Sequence, residues 1–228
     1  KVVGGLGLGM GNSNDEKNSF FQGFKDLDNY VAGIYLSQDN FDITSELLIG
    51  DYNQAFIEEI GRNFTINVND KTRWALNFNS LTDNTGHTYD VPEGQTSIIL
   101  DPNLNHIGIP NSIYDSFLKN LIDNNKLECQ SDVTIFPTCN CSNTDIFPLL
   151  FFKFDKVNLI IPPELYVQKD TNCTLLIGKT DVTKSFENFW IFGSPVLTYY
   201  YTMFNFNYPN YQIIFTKAKI FERNNRWY

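Results

Sequence analysis

Apolar and polar residues alternate with a period of two along much of the chain. Phe64, Ile66 and Val68 alternate with Thr65 and Asn67, and Trp74, Leu76 and Phe78 with Ala75 and Asn77. That is the pattern of half-buried β-strands. It predicts further strands at Val31–Leu36, Glu46–Ile49, Thr96–Leu100, Leu150–Phe154, Val157–Ile161, Thr174–Ile177, Phe189–Phe192, Tyr199–Phe206 and Gln212–Thr216. Clusters of Asn, Asp, Gly and Pro separate them, as turns require. The period changes to about 3.6 at Ile113–Ile122, where positions 113, 114, 117, 118, 121 and 122 form one apolar stripe. Pro110-Asn111-Ser112 is its start signal. A second short helix is predicted over Ser19–Leu27. Mostly strands with two or more short helices is an all-β architecture of sandwich or barrel type.

Composition narrows the functional classes. The 228 residues can bury a substantial core, and 42% are hydrophobic, with 20 Phe and 12 Tyr. The formal charge of −9 repels phosphate backbones, which argues against nucleic acid as a partner. No apolar run approaches the roughly 20 residues of a membrane span. The four cysteines, Cys129, Cys139, Cys141 and Cys173, include no Cys-x-x-Cys pair, and His87 and His106 lie far from them in sequence. Metal binding is therefore not expected, nor any cofactor, and two disulfides fit better. Sequons at Asn63, Asn140 and Asn172 point with the cysteines to an oxidising secretory route, vacuolar, lysosomal or extracellular. The glycine run Gly4–Gly11 fits no nucleotide-binding register, and no Gly-x-Ser-x-Gly elbow exists. Both histidines are polar-flanked and read as surface residues, and Tyr199–Tyr201 as core.

A series of landmarks then falls in a recognisable order. Val3-Gly4-Gly5-Leu6-Gly7-Leu8-Gly9 comes first, followed by Val31–Ser37, Glu46-Leu47-Leu48-Ile49-Gly50 and Trp74. Ile98–Pro110 carries an apolar strand into Asp101. Near the end stand Phe189-Trp190-Ile191-Phe192-Gly193, then Tyr199-Tyr200 and Phe204, then Tyr211–Phe215. In this order they resemble the pepsin-like eukaryotic aspartic protease family, from late in its N-terminal lobe to its C-terminus. The resemblance implies a pepsin-like fold in which residues 1–40 are the end of the N-terminal lobe and the interlobe strand. Residues 41–228 are then the C-terminal lobe. It also implies that Cys141 and Cys173 form the second-lobe disulfide, leaving Cys129 and Cys139 as an extra pair.

The family's chemistry uses two aspartates, one per lobe, sharing a proton so that one acts as base on a water. By resemblance Asp101 is the second of these, and the first would lie upstream of Lys1. The family's Asp-Thr-Gly-Thr/Ser has become Asp101-Pro102-Asn103-Leu104. Pro102 lacks both hydroxyl and N–H, Asn103 brings a Cβ where the family has none, and Leu104 has no hydroxyl to give the carboxylate. Ser194-Pro195 and Thr198 depart from the pattern too. Asp101 is expected to be a vestige, or one half of a dyad completed elsewhere.

Three functions compete on these residues. One is a pepsin-family homologue, inactive or impaired, that binds a peptide or protein. Another is the C-terminal part of an acid endopeptidase assembled with an upstream lobe. The third is a secreted β-rich carbohydrate-binding protein. A chain without that lobe is expected to self-associate through unpaired strand edges or to be only marginally stable.

Overall fold

The computed structural model describes residues 29–37, 45–58, 63–69, 74–130, 136–140, 146–169, 171–180, 187–207 and 210–219. In chain order the strands are β1 (Val31–Tyr35), β2 (Glu46–Ile49), β3 (Asn63–Asn67), β4 (Ala75–Asn77), β5 (Ser80–Asp83), β6 (Thr88–Tyr89), β7 (Ser97–Leu100) and β8 (Ile107–Ile109). Helix α1 (Asn111–Asn125) follows. Then come β9 (Cys129–Gln130), β10 (Thr138–Cys139), β11 (Leu150–Lys153), β12 (Asn158–Ile161), β13 (Val167–Lys169), β14 (Cys173–Leu175), β15 (Ile177–Lys179) and β16 (Phe189–Phe192). Helix α2 (Ser194–Tyr199) leads into β17 (Tyr200–Asn205) and β18 (Gln212–Lys217). The fold is all-β. The helix predicted at Ser19–Leu27 and the glycine-rich Val3–Gly9 landmark lie outside the described residues.

The strands form four sheets, ordered β2-β1-β17-β18-β3, β13-β14-β10-β9, β12-β11-β5-β6 and β15-β8-β16-β7-β4. The first is antiparallel, and β1 lies inside it, paired with β17 on one side and β2 on the other. The last is mixed. There β16 runs parallel to β7, β15 runs parallel to β8, and β16 meets β8 antiparallel. This arrangement brings the ends of β7 and β16 side by side, where Asp101 and Gly193 follow.

Aromatic rings fill the space against this sheet. Trp190, 1% exposed, packs edge-on against Phe78, Phe117 and Phe152, with centroids 5.4 to 5.8 Å apart. Its indole N–H donates to the Gln95 carbonyl at 2.9 Å, so the one polar atom of the cluster is satisfied. Helix α1 buries Ile113, Tyr114, Phe117, Leu118 and Leu121, the stripe seen in the sequence. It is longer than predicted, because the turn at Asn111 starts on the Pro110 carbonyl and the end waits for Lys126 in the left-handed region (φ 52°).

Two expectations need correction. Thr174–Ile177 is not one strand: β14 ends at Leu175, and Leu176 donates its N–H to the Tyr166 carbonyl before β15 begins. Tyr199 closes α2 rather than opening β17. Pro195, in the first turn of that helix, has a fixed φ suited to it, and the burial of Val196 and Leu197 holds the short segment in place.

Candidate active site

Strand β7 sits between β16 and β4, with Ile98 fully buried, and hands the chain to Asp101 at its carboxyl end. The Asp101 N–H donates to the Phe192 carbonyl at 3.1 Å, which continues the strand pairing by one residue. A reverse turn follows. Leu104 donates its N–H to the Asp101 carbonyl at 3.2 Å, and the Asn103 N–H reaches the Asp101 Oδ1 at 2.9 Å. Proline at the second position of such a turn and aspartate at the first are the residues it favours, since proline presets φ and the carboxylate caps the turn. Asp101 is half-buried, while Pro102 and Asn103 are exposed.

Leu104 is held from the other side. Its carbonyl accepts the Ser194 N–H at 2.6 Å. Gly193 lies so close that a Cβ there would be 2.2 Å from the His106 carbonyl oxygen and 2.3 Å from that of Leu104. Only glycine permits two backbones to pass at this distance. The Asp101 loop and the β16–α2 corner are thus one unit, fixed by main-chain contacts. Within it the Asp101 carboxylate accepts from the Asn103 N–H alone among the hydrogen bonds of the described residues.

Of the two histidines read as surface residues, His87 keeps an exposed side chain, whereas His106 does not. His106 is half-buried: its ring meets Phe136 edge-on at 4.9 Å, its Nδ1 is 3.1 Å from Asn105 Oδ1, and burial lowers its pKa. His87 lies 3.6 Å from Asp83 Oδ2 and shares a 2.6 Å hydrogen bond with Thr85. Among the described residues no group of three or more His, Cys, Asp or Glu side chains could hold a metal.

Cys129 and Cys139 face each other in the β9–β10 pair and form a disulfide. Cys173, opposite Cys139 on β14, is disulfide-bonded as well, and Cys141 lies outside the described residues. Asn63, Asn140 and Asn172 are all exposed, and Asn140 Nδ2 donates to Glu128 at 3.0 Å.

The sequence reading missed a buried carboxylate. Asp83 accepts hydrogen bonds from the Thr85 N–H and hydroxyl, the His87 N–H and the Tyr89 hydroxyl, at 2.6 to 3.0 Å. Burial pushes its pKa up, but these donors together outweigh burial and hold it below the ordinary value. The signal was present as Asp83-Asn84-Thr85-Gly86, an aspartate starting a turn closed by glycine.

The family described as eukaryotic aspartyl protease matches residues 1–218. Pepsin-2B of Gadus morhua is 31% identical over 67 residues, which is 29% of this chain. The match spans 21% of that relative's length.

Proposed function

The chain belongs to the eukaryotic aspartyl protease family, and from that premise we propose that it is a peptidase homologue, inactive or impaired as it stands, that serves as a binding module for a peptide or protein. The observation that carries this reading is the turn at Asp101. In the family's chemistry a carboxylate must be oriented by hydroxyl and backbone donors and share a proton with a second carboxylate. Here the neighbouring donors are replaced by Pro102, Asn103 and Leu104, and Oδ1 caps its own turn through Asn103. General acid–base assistance of about 10²- to 10⁴-fold goes with such orientation. The division into residues 1–40 and 41–228, and a route through the secretory pathway with glycans on Asn63, Asn140 and Asn172, belong to the same proposal. The disulfide and the exposure of all three asparagines support it.

The test is an acid-pH assay with a fluorogenic peptide library, run on the native protein and on Asp101→Asn. The expected result is no pepstatin-sensitive cleavage that depends on Asp101. Such cleavage would overturn the reading in favour of a second one: the C-terminal part of an acid endopeptidase, with Asp101 as one of two catalytic carboxylates and the other supplied by an upstream lobe. That second reading has its own support, since Asp101 remains half-buried at the strand end and its Oδ2 has no hydrogen bond among the described residues.

A further inference from the structure

A concavity of about 480 Å³ lies at one end of the β2-β1-β17-β18-β3 sheet, on β3, β17, β18 and their flanking loops. Its lining is Asn67, Val68, Asn205, Asn207, Asn210, Tyr211 and Gln212. Five of these seven carry a carboxamide and none carries a charge. Strand register sets three of them in a row across the sheet, since Asn205 pairs with Gln212 and Gln212 with Asn67. The row is internally bonded. Asn205 Nδ2 donates to Gln212 Oε1 at 3.3 Å, and Gln212 Nε2 donates to Asn67 Oδ1 at 3.0 Å. Asn205 Oδ1 in turn accepts the Asn207 N–H at 3.0 Å.

These bonds fix the three side chains without exhausting them. Each carboxamide has two N–H donors and two carbonyl lone pairs, so Asn205 and Gln212 each keep a free N–H and Asn67 keeps both. The exposed carboxamides of Asn207 and Asn210 make no hydrogen bond among the described residues. The half-buried Tyr211 ring, set edge-on to Trp74 at 6.1 Å, adds an aromatic wall.

We propose that this carboxamide-lined concavity is a binding site for a neutral carbohydrate. The lining holds no cation to balance a phosphate or carboxylate, and so polar a lining offers little to a lipid. Vicinal hydroxyls, each both donor and acceptor, match the paired donor and acceptor of a carboxamide, and a sugar's C–H face packs on an aromatic ring. The row repeats at the strand spacing of about 4.8 Å, close to the size of one sugar ring. The volume lies within the roughly 300–1,000 Å³ of ligand clefts, and the mutual bonds remove much of the ordering cost of binding. A peptide is disfavoured, because it would run along the edge of β3 whereas the carboxamides run across the strands.

The experiment is an array of neutral oligosaccharides of glucose, galactose, mannose and N-acetylglucosamine, followed by calorimetry with the strongest binder. Asn207→Ala with Asn210→Ala, both exposed and outside the bonded row, is expected to weaken binding at least tenfold while circular dichroism stays unchanged. Asp101→Asn is expected to bind normally, and affinity to stay within twofold between pH 4.5 and 7.5, since the lining holds no carboxylate, imidazole or amine. A silent array, affinity unaffected by the double substitution, or binding to peptide arrays but not to glycans overturns the proposal.

Discussion

The Tyr89 hydroxyl donates to Asp83 Oδ2 at 2.8 Å, between side chains that are both buried. Because the donors around Asp83 hold its pKa below the unfolded value of about 3.9, this carboxylate stabilises the fold fully above that value. The stabilisation is lost as pH falls through the depressed folded value. Asp83→Ala leaves several buried donors without an acceptor and is expected to cost about 3 kcal/mol or more at pH 7. Asp83→Asn keeps the acceptor for Thr85 and His87 and is expected to cost less while flattening the acid limb of stability against pH. Urea midpoints between pH 2 and 7 read both effects.

Gly193→Ala is expected to destabilise by about 3 kcal/mol or more, or to prevent folding. The new Cβ would meet two main-chain oxygens that cannot move without breaking the Asp101 loop. Gly178→Ala is the control. Its Cβ would come within 2.8 Å of His106 Nε2, a side-chain atom that can swing aside, so a cost of about 1–2 kcal/mol is expected. Equal losses for the two variants in thermal melts would contradict this account.

Asp101→Ala removes the acceptor for the Asn103 N–H and is expected to lower stability by about 0.5–1.5 kcal/mol. Asp101→Asn retains an acceptor oxygen and is expected to fall within about 0.5 kcal/mol of the parent. A large loss in the second variant would mean that the negative charge, not the turn, matters at this position.

The sheet containing β1 has β2 and β3 at its edges among the described residues, and Leu47 on β2 is 39% exposed. Unpaired edges with an apolar side chain invite pairing with another chain. Sedimentation velocity is expected to show concentration-dependent association, reduced by Leu47→Lys, which places a charge on the edge.

Removing the Cys129–Cys139 bond with paired alanines opens a loop of sequence separation 10 and is expected to cost roughly 2–3 kcal/mol. Chemical denaturation of the two forms measures it.

Where side chains alternate between core and solvent, the strand was legible. Glu46–Ile49 and Phe189–Phe192 occur with the bounds the pattern predicted, and α1 follows its apolar stripe. Short elements were not legible, because two or three residues carry too little periodicity. β6, β9 and β13 pair with strands close by in the chain, β10 joins β9 to the more distant β14, and α2 is held by burial of Val196 and Leu197. At Asp101 the sequence identified the position and the missing hydroxyls. It could not reveal that the loop is clamped against Gly193 and Ser194.

The sequence by itself determined the all-β class, the family and the altered loop after Asp101, because periodicity and residue identity are local properties. Only the tertiary structure decided how chain segments far apart in sequence meet. Asp83 with Asn125, Gly193 under Leu104 and His106, and Asn67 in line with Gln212 are products of sheet register and chain crossing. Register is set by the simultaneous packing of all strands, and no single stretch of sequence encodes it.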